Sequence, residues 1–228
     1  MQQIPSSGQE QLNHGHNGTK RSPGRPRNER SRQAILRSTL KLLRRHGFGA
    51  LSIEAVAADA HVGKATVYRW WTTKGALAVD AFASSIENEL HFPDSGSVRE
   101  DMSAQMNQYL EVLRSRSGRI IAGVIGAGQS DPGLMEEFRA RFLRPRRHEA
   151  YRTLQRGIDR KELPQDLDLD LVLDVLYGSI YMRFLIRHDE LNEDYINEVC
   201  RIVLAGAAEG SFSSSHKSKR RSHSALAG

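Results

Sequence analysis

Apolar residues in this chain recur every three or four positions, and nearly every such run is fenced by a helix cap or a helix breaker. Residues 29–46 set Leu36, Leu40 and Leu43 at i, i+4 and i+7, with Ile35 beside them, until Gly47 and Gly49 stop the run. Ser52 then precedes Ile53-Glu54-Ala55-Val56-Ala57-Ala58 as an N-cap with an acid in the first turn. A short turn at 59–62 leads to a second short helix at 63–71, and Thr73 is placed to cap a longer one through about Leu90. After a loop at 91–96, the pattern predicts helices at about 97–115, 118–128 and 132–160, the last opened by Asp131-Pro132 and bent near Pro145. Two more follow at about 168–188 and 193–208, with Ile196, Val199, Cys200, Val203 and Leu204 in one stripe on the second. No strand hairpin and no repeat of 20–50 residues interrupts the pattern. The expectation is an all-α protein of about nine helices.

The 228 residues are enough for one large core or two small ones. No run approaches ~18 consecutive apolar residues, and the polar start Met1-Gln2-Gln3-Ile4-Pro5 has no apolar segment behind it. One cysteine, Cys200, excludes an internal disulfide and a multi-cysteine zinc site. A cytoplasmic protein without membrane contact is expected. The net charge of +6 is unevenly spread: residues 1–75 carry +9, residues 76–210 carry −7 and residues 211–228 carry +4. A basic first third on an acidic body suggests that the first third meets a polyanion. Residues 1–27 read as a disordered basic arm and 211–228, with the cluster 217–221, as a disordered basic tail.

Two short helices joined by a tight turn, on a basic segment behind a third helix, make a helix-turn-helix. The second helix has to enter a groove about 12 Å wide, while the first helix and its flanks hold phosphates. Ile53, Val56, Ala57, Val62 and Val67 are spaced to form the buried seam, which leaves Lys64, Ala65, Thr66 and Arg69 facing outward. Catalysis has no comparable signature. No glycine-rich phosphate loop follows a strand, and there is neither a nucleophile elbow nor a His-Glu-x-x-His pair. His14 and His16 lie in the arm and His188-Asp189 near a helix end, without the partners that metal binding or acid–base work requires. No catalytic residue, metal or cofactor is expected.

The run Thr66-Val67-Tyr68-Arg69-Trp70-Trp71, followed by Thr73-Lys74-Gly75-Ala76-Leu77, resembles the N-terminal domain of the TetR/AcrR family of repressors. The resemblance extends from Gly24 to about Phe82. It continues more weakly into the family's C-terminal ligand-binding domain through Asp101, Asp131-Pro132, residues 141–147, Asp166-Leu167-Asp168 and Tyr177-Gly178. It implies a DNA-binding domain at 28–75 and a ligand-binding and dimerisation domain at 76–210. Ser52, Tyr68 and Lys74 would then contact phosphates, Lys74 aided by the N-terminal dipole of its helix. Lys64 and Arg69 would reach guanine edges, and Ala65 or Thr66 a thymine methyl. Trp70 would pack the motif onto the first helix. His61 stands where the family usually has glycine, a strained choice if the turn needs φ > 0. Gly24-Arg25-Pro26-Arg27 resembles the core of an AT-hook, in which Arg25 and Arg27 would enter a narrow minor groove; a solvated linker is the other reading.

The resemblance further implies a homodimer on double-stranded DNA, joined through the last two helices, and a palindromic operator. Val172, Val175, Leu176, Ser179, Val199, Val203 and Ala207 are candidates for that face, with Gly178, Ala205 and Gly206 allowing close approach; the same residues would serve equally well inside one subunit. The middle helices are rich in Met and aromatic residues, enough for an apolar pocket with a few polar tips. Met106, Tyr109, Leu113, Ile125, Phe138, Phe142, Tyr177 and Tyr181 are the candidates to line it around a small-molecule effector, ordinary core being the alternative for each. The expected function is an effector-released repressor. A ligand-independent architectural DNA-binding protein is the competing reading.

Overall fold

The computed structural model describes residues 25–213, with side chains from Glu29 onward. The residues before 25 and after 213, which include Gly24 of the arm and the cluster 217–221 of the tail, lie outside the described residues. The chain forms α1 (Arg25–His46), α2 (Ile53–Asp59), α3 (Lys64–Tyr68), α4 (Lys74–Ile86), α5 (Val98–Arg114), α6 (Arg116–Gly128), α7 (Pro132–Phe138), α8 (Arg144–Asp159), α9 (Leu169–Ile186) and α10 (Glu193–Ala208). A π-helical turn, Arg139–Leu143, joins α7 to α8 without a break. The described residues therefore hold nine helical runs, and the only β-type pairing among them is an isolated bridge between Leu167 and Ser213.

The caps read from sequence are in place. Ser52 Oγ accepts the Ala55 amide at 3.1 Å, Thr73 Oγ1 that of Ala76 at 3.0 Å, and Asp131 Oδ1 that of Leu134 at 3.0 Å. Helix α1 begins four residues before the expected start at 29 and takes in Arg25–Arg27, which were expected to belong to the disordered basic arm. Pro26 lies in the first turn, where a missing N–H removes no helical hydrogen bond. The bend expected near Pro145 takes the form of the π turn just ahead of it. Pro145 cannot donate to the Arg141 carbonyl four residues back, and the chain takes a wider turn ahead of it, with the Arg144 amide donating to the Arg139 carbonyl. Gly118, in the first turn of α6, sits so close to α5 that a Cβ there would lie 1.9 Å from the Leu113 carbonyl oxygen.

Helices α1–α3 form the N-terminal unit, whose core holds Ile35, Leu43, Leu51, Val56, Val67 and Trp71. Helix α4 packs on α1 and also on α7 and the π turn, so it belongs to both halves. In the body α5 is central, in contact with α6, α8 and α10. Met102, Met106 and Leu110 of α5 are fully buried there, beside Leu154 of α8, Leu173 and Leu176 of α9, and Ile196 and Cys200 of α10. Asp101 is also fully buried. It accepts the Ser95 amide at 2.8 Å and lies 3.8 Å from both Arg156 and Arg160, which fixes the 91–97 loop against α8.

Candidate nucleic-acid interface and body cavity

Helix α3 presents two distinct sides. Val67 is fully buried, and with Ile53, Val56 and Ala57 it forms the expected seam, with Val62 half-buried against it. At 3.6 residues per turn, positions 65 and 69 fall opposite Val67, 68 lies to one side, and 64 opens the helix one turn before Val67. All four are exposed: Lys64, Ala65, Arg69 and Tyr68, whose ring is 51 % exposed and thus no part of the core. Thr66 is half-buried at the edge of this surface. Lys64 is held by an exposed ion pair with Glu54 at 3.2 Å, a contact that water screens and a stronger anion displaces. The turn into α3 takes its left-handed step at His61, φ 53°.

The flanks carry further donors. Ser52 uses its oxygen lone pair on the α2 cap, which leaves its O–H free to donate outward. Lys74 opens α4 with its ammonium 4.7 Å from the centre of the Phe48 ring and no carboxylate within 4.0 Å among the described residues. Trp71, rather than Trp70, anchors the motif. It is 1 % exposed and its Nε1 donates to Asp80 at 2.7 Å, while Trp70 is half-buried. Arg32 of α1 lies over both rings, 5.7 and 5.9 Å from their centres. Arg25 and Arg27 occupy the first turn of α1, and their side chains lie outside the described residues.

The body holds a partly open cavity of about 50 Å³ lined by Tyr109, Phe142, Tyr177 and Tyr181 among others. Of the eight residues expected to line one pocket, these four come together. Tyr109 and Tyr181 share a hydroxyl–hydroxyl hydrogen bond of 2.7 Å, and Tyr109 meets Tyr177 and Tyr181 edge-to-face at 6.4 and 6.1 Å. The other four are elsewhere. Met106 is core, its Sδ 3.3 Å from Cys200 Sγ; Phe138 lies behind Phe142, 5.4 Å ring to ring; Leu113 borders an open arginine-rich groove; Ile125 is half-buried on α6. A helical period says which residues point inward, and not where packing leaves a gap.

Sequence reasoning missed Gln105, Arg146 and Arg147, which also line the cavity. Gln105 is 2 % exposed, and a buried polar residue on the apolar side of α5 is the one signal that pointed to it. Burial pushes Tyr181 up to about 12 and raises Tyr109 and Tyr177 as well, so all three hydroxyls stay protonated donors at neutral pH. The Cys200 thiol is likewise pushed up to about 12 by burial and stays an unreactive thiol.

The sequence matches the family of bacterial regulatory proteins of the tetR type over residues 35–81 and the tetracyclin repressor-like C-terminal domain over residues 92–203. It is 40 % identical over 183 residues, 80 % of this chain and 92 % of the other, to the uncharacterized HTH-type transcriptional regulator YdeS of Bacillus subtilis. The chain belongs to the TetR family of transcriptional regulators. The regulator is also 31 % identical, over 69 % of its length and 83 % of the other's, to the DNA-binding transcriptional repressor TetR of Mycobacteroides abscessus. The crystal structure of the TetR family transcription regulator SCO0332 superposes with a TM-score of 0.70 at 33 % identity, covering 77 % of this chain and 97 % of that one. The regulator is thus a DNA-binding protein and not an enzyme. Among its described residues, no helix is long and apolar enough to cross a membrane.

Proposed function

We propose that this regulator is a cytoplasmic repressor that grips a palindromic operator as a homodimer and leaves it when a small, largely apolar effector enters the body. The observation that carries the DNA reading is the exposed surface of α3, where Lys64, Ala65, Tyr68 and Arg69 are open to solvent while Val67 is buried. Lys64 and Arg69 read guanine edges, and Ala65 or Thr66 a thymine methyl. Ser52, Tyr68 and Lys74 hold phosphates, and Arg25 and Arg27 add positive charge beside them.

Helix α9 supports the dimer. Val172, Leu173, Leu176 and Ile180 are buried within the subunit, yet Leu171, Val175, Met182 and Leu185 are exposed, spaced with Gly178 at steps of four and three. Nothing lies within 4 Å of where a Gly178 Cβ would stand, and Ile202 of α10 is 55 % exposed. An apolar stripe of this length suits a helix–helix seam with a second copy. Of the candidates for that seam, Val172 and Leu176 of α9 and Val203 and Ala207 of α10 are buried within the subunit.

The effector reading rests on the cavity and on what joins it to α3. Phe142 of the cavity wall is in the π turn, next to Arg141, whose guanidinium holds both Asp80 oxygens at 3.0 Å; Asp80 in turn accepts from Trp71. Swelling the cavity would push on this chain of contacts and tilt α4 with the motif it carries. At about 50 Å³ the cavity has room for a few waters, well short of the several hundred Å³ of most ligand sites, so it must open to admit an effector. That tightness is the observation favouring a ligand-independent architectural protein. Selection of bound sequences from a random DNA pool at near-physiological salt separates the two. Enrichment of a palindrome is expected; salt-sensitive binding with no enriched sequence would overturn the operator reading in favour of the architectural one.

A further inference from the structure

The polar groups of the cavity are strongly one-sided. Gln105 is 2 % exposed and its carbonyl accepts the Tyr177 hydroxyl at 2.5 Å, but its amide nitrogen has no hydrogen-bond partner among the described residues. Tyr109 and Tyr181 share one hydrogen bond between two hydroxyls, so one of the two protons is left over. Arg147 is neutralised by Asp170 at 2.9 Å and Asp174 at 2.7 Å. Arg146 is not. Its one hydrogen bond runs to the Leu90 carbonyl at 2.9 Å, and among the described residues no carboxylate lies within 4.0 Å of it. Asp80, Glu87 and Glu149 share an outer groove with Arg146 but stay beyond that distance. The wall of the cavity itself carries no carboxylate. It thus offers spare N–H and O–H donors and one uncompensated positive charge, with aromatic edges around them.

We infer that the cavity takes a compact, planar monoanion, with a carboxylate-type group held by Arg146 and Gln105 and an aromatic body lying among Tyr109, Phe142 and Tyr181. This rests on the reading of the cavity as the effector site and names the chemistry of that effector. A half-buried guanidinium without a counter-ion is raised in energy, and an oxyanion brought by the ligand relieves it while satisfying the Gln105 amide. The three tyrosines stay protonated, so none competes with the ligand as an anion. Edge-to-face rings accept a further flat ring once the Tyr109–Tyr181 hydrogen bond parts. A neutral ligand would leave Arg146 unpaired, and a cation would meet like charge.

Titration calorimetry and melting shifts on the full chain test this with three probes: benzoate, benzamide (the same ring without the charge) and acetate (the charge without the ring). Benzoate is expected to bind saturably and the other two at least about tenfold more weakly. Arg146→Gln should weaken benzoate by about tenfold or more, and Gln105→Glu, which keeps an acceptor for Tyr177, should do the same without weakening benzamide. Arg119→Gln, an exposed charge removed away from the cavity, should leave benzoate binding unchanged. Benzamide binding as tightly as benzoate, unaltered affinity in Arg146→Gln, or saturable binding by none of the probes would overturn the inference. Release of the selected operator, followed separately by fluorescence anisotropy, tests the effector reading. Arg146-dependent benzoate binding that leaves the DNA bound would uphold the cavity's chemistry and overturn its role as the sensor.

Discussion

Whether a side chain on the DNA-facing surface positions the protein or reads sequence follows from what it offers. Lys74 brings a point charge beside the Phe48 ring and no directional pattern, so Lys74→Ala should weaken binding to all sequences alike and make the plot of log affinity against log salt shallower by about one unit. A loss confined to one operator would contradict a phosphate role. Arg69 carries a planar fork on the exposed side of α3. Arg69→Ala should relax preference at one base position, worth roughly 1–3 kcal/mol if its contact is bidentate. Selection with the variant checks this, and unchanged selectivity removes Arg69 from the base-reading set. His61 makes a different residue-scale statement. Its left-handed backbone at φ 53° is a geometry that glycine adopts freely, and its side chain is exposed. His61→Gly should therefore stabilise the fold by about 0.5–1 kcal/mol, the relief of left-handed strain less glycine's extra entropy loss. Urea unfolding measures it, and a destabilised variant would show that the imidazole contributes more than the strain it imposes.

Between elements, the informative joint is the one around Asp80 on α4. Its carboxylate is shared by Trp71 after α3 and Arg141 in the π turn, so one group ties the DNA-binding unit, the bridging helix and the cavity wall. The π turn exists because Pro145 forbids the α-register just beyond it, and a turn of that kind is a place where a helix can change its winding. Asp80→Ala leaves the indole N–H and the guanidinium without that partner. A loss of about 1–3 kcal/mol in stability is expected. The more telling readout is release: operator affinity should fall modestly while the response to a cavity ligand is blunted. A variant that is less stable yet fully ligand-responsive would show that coupling runs by another route. The proposed dimer belongs to this scale too. Met182 lies near the C-terminal end of the exposed stripe of α9 and is 55 % exposed in the subunit. Met182→Glu should leave the monomer's fold intact and shift the assembly toward monomers in analytical ultracentrifugation, since a carboxylate in an apolar seam loses its water. An unchanged dimer would place the seam elsewhere.

For the molecule as a whole, the ring of buried tyrosines couples stability to alkaline pH. Tyr181 ionises at about 12 in the folded chain, and Tyr109 and Tyr177 are raised too, against about 10 when unfolded. The folded state keeps protons that the unfolded chain gives up. The stabilisation is therefore complete below about pH 10 and is lost as pH climbs through the folded values. Unfolding free energy measured between neutral pH and about pH 11 should fall more steeply for the native chain than for Tyr181→Phe; equal slopes would remove Tyr181 from the account. The asymmetry of charge also acts at this scale. The basic N-terminal third and the acidic body orient the molecule on DNA before any contact forms.

The sequence by itself determined the elements and the buried side of each. Ser52, Thr73 and Asp131 announce helix starts through local hydrogen bonds, and Val56 and Val67 mark the inside of the motif through spacing alone. Such signals involve neighbours within a turn or two, so they survive without a fold. The far side of α3 was legible for the same reason: the buried Val67 fixes Ala65 and Arg69 as facing away from it. Only the tertiary structure decided the rest. It chose Trp71 over Trp70 as the anchor through Asp80, turned Val172 and Leu176 inward on a helix apolar on both sides, and gathered Tyr109, Phe142, Tyr177 and Tyr181 while sending Met106, Leu113, Ile125 and Phe138 elsewhere. It also set Gln105 and Arg146, from helices α5 and α8, at one cavity. These outcomes depend on how separate helices meet, and a gap left by their packing is a property of several surfaces at once that no single periodicity contains.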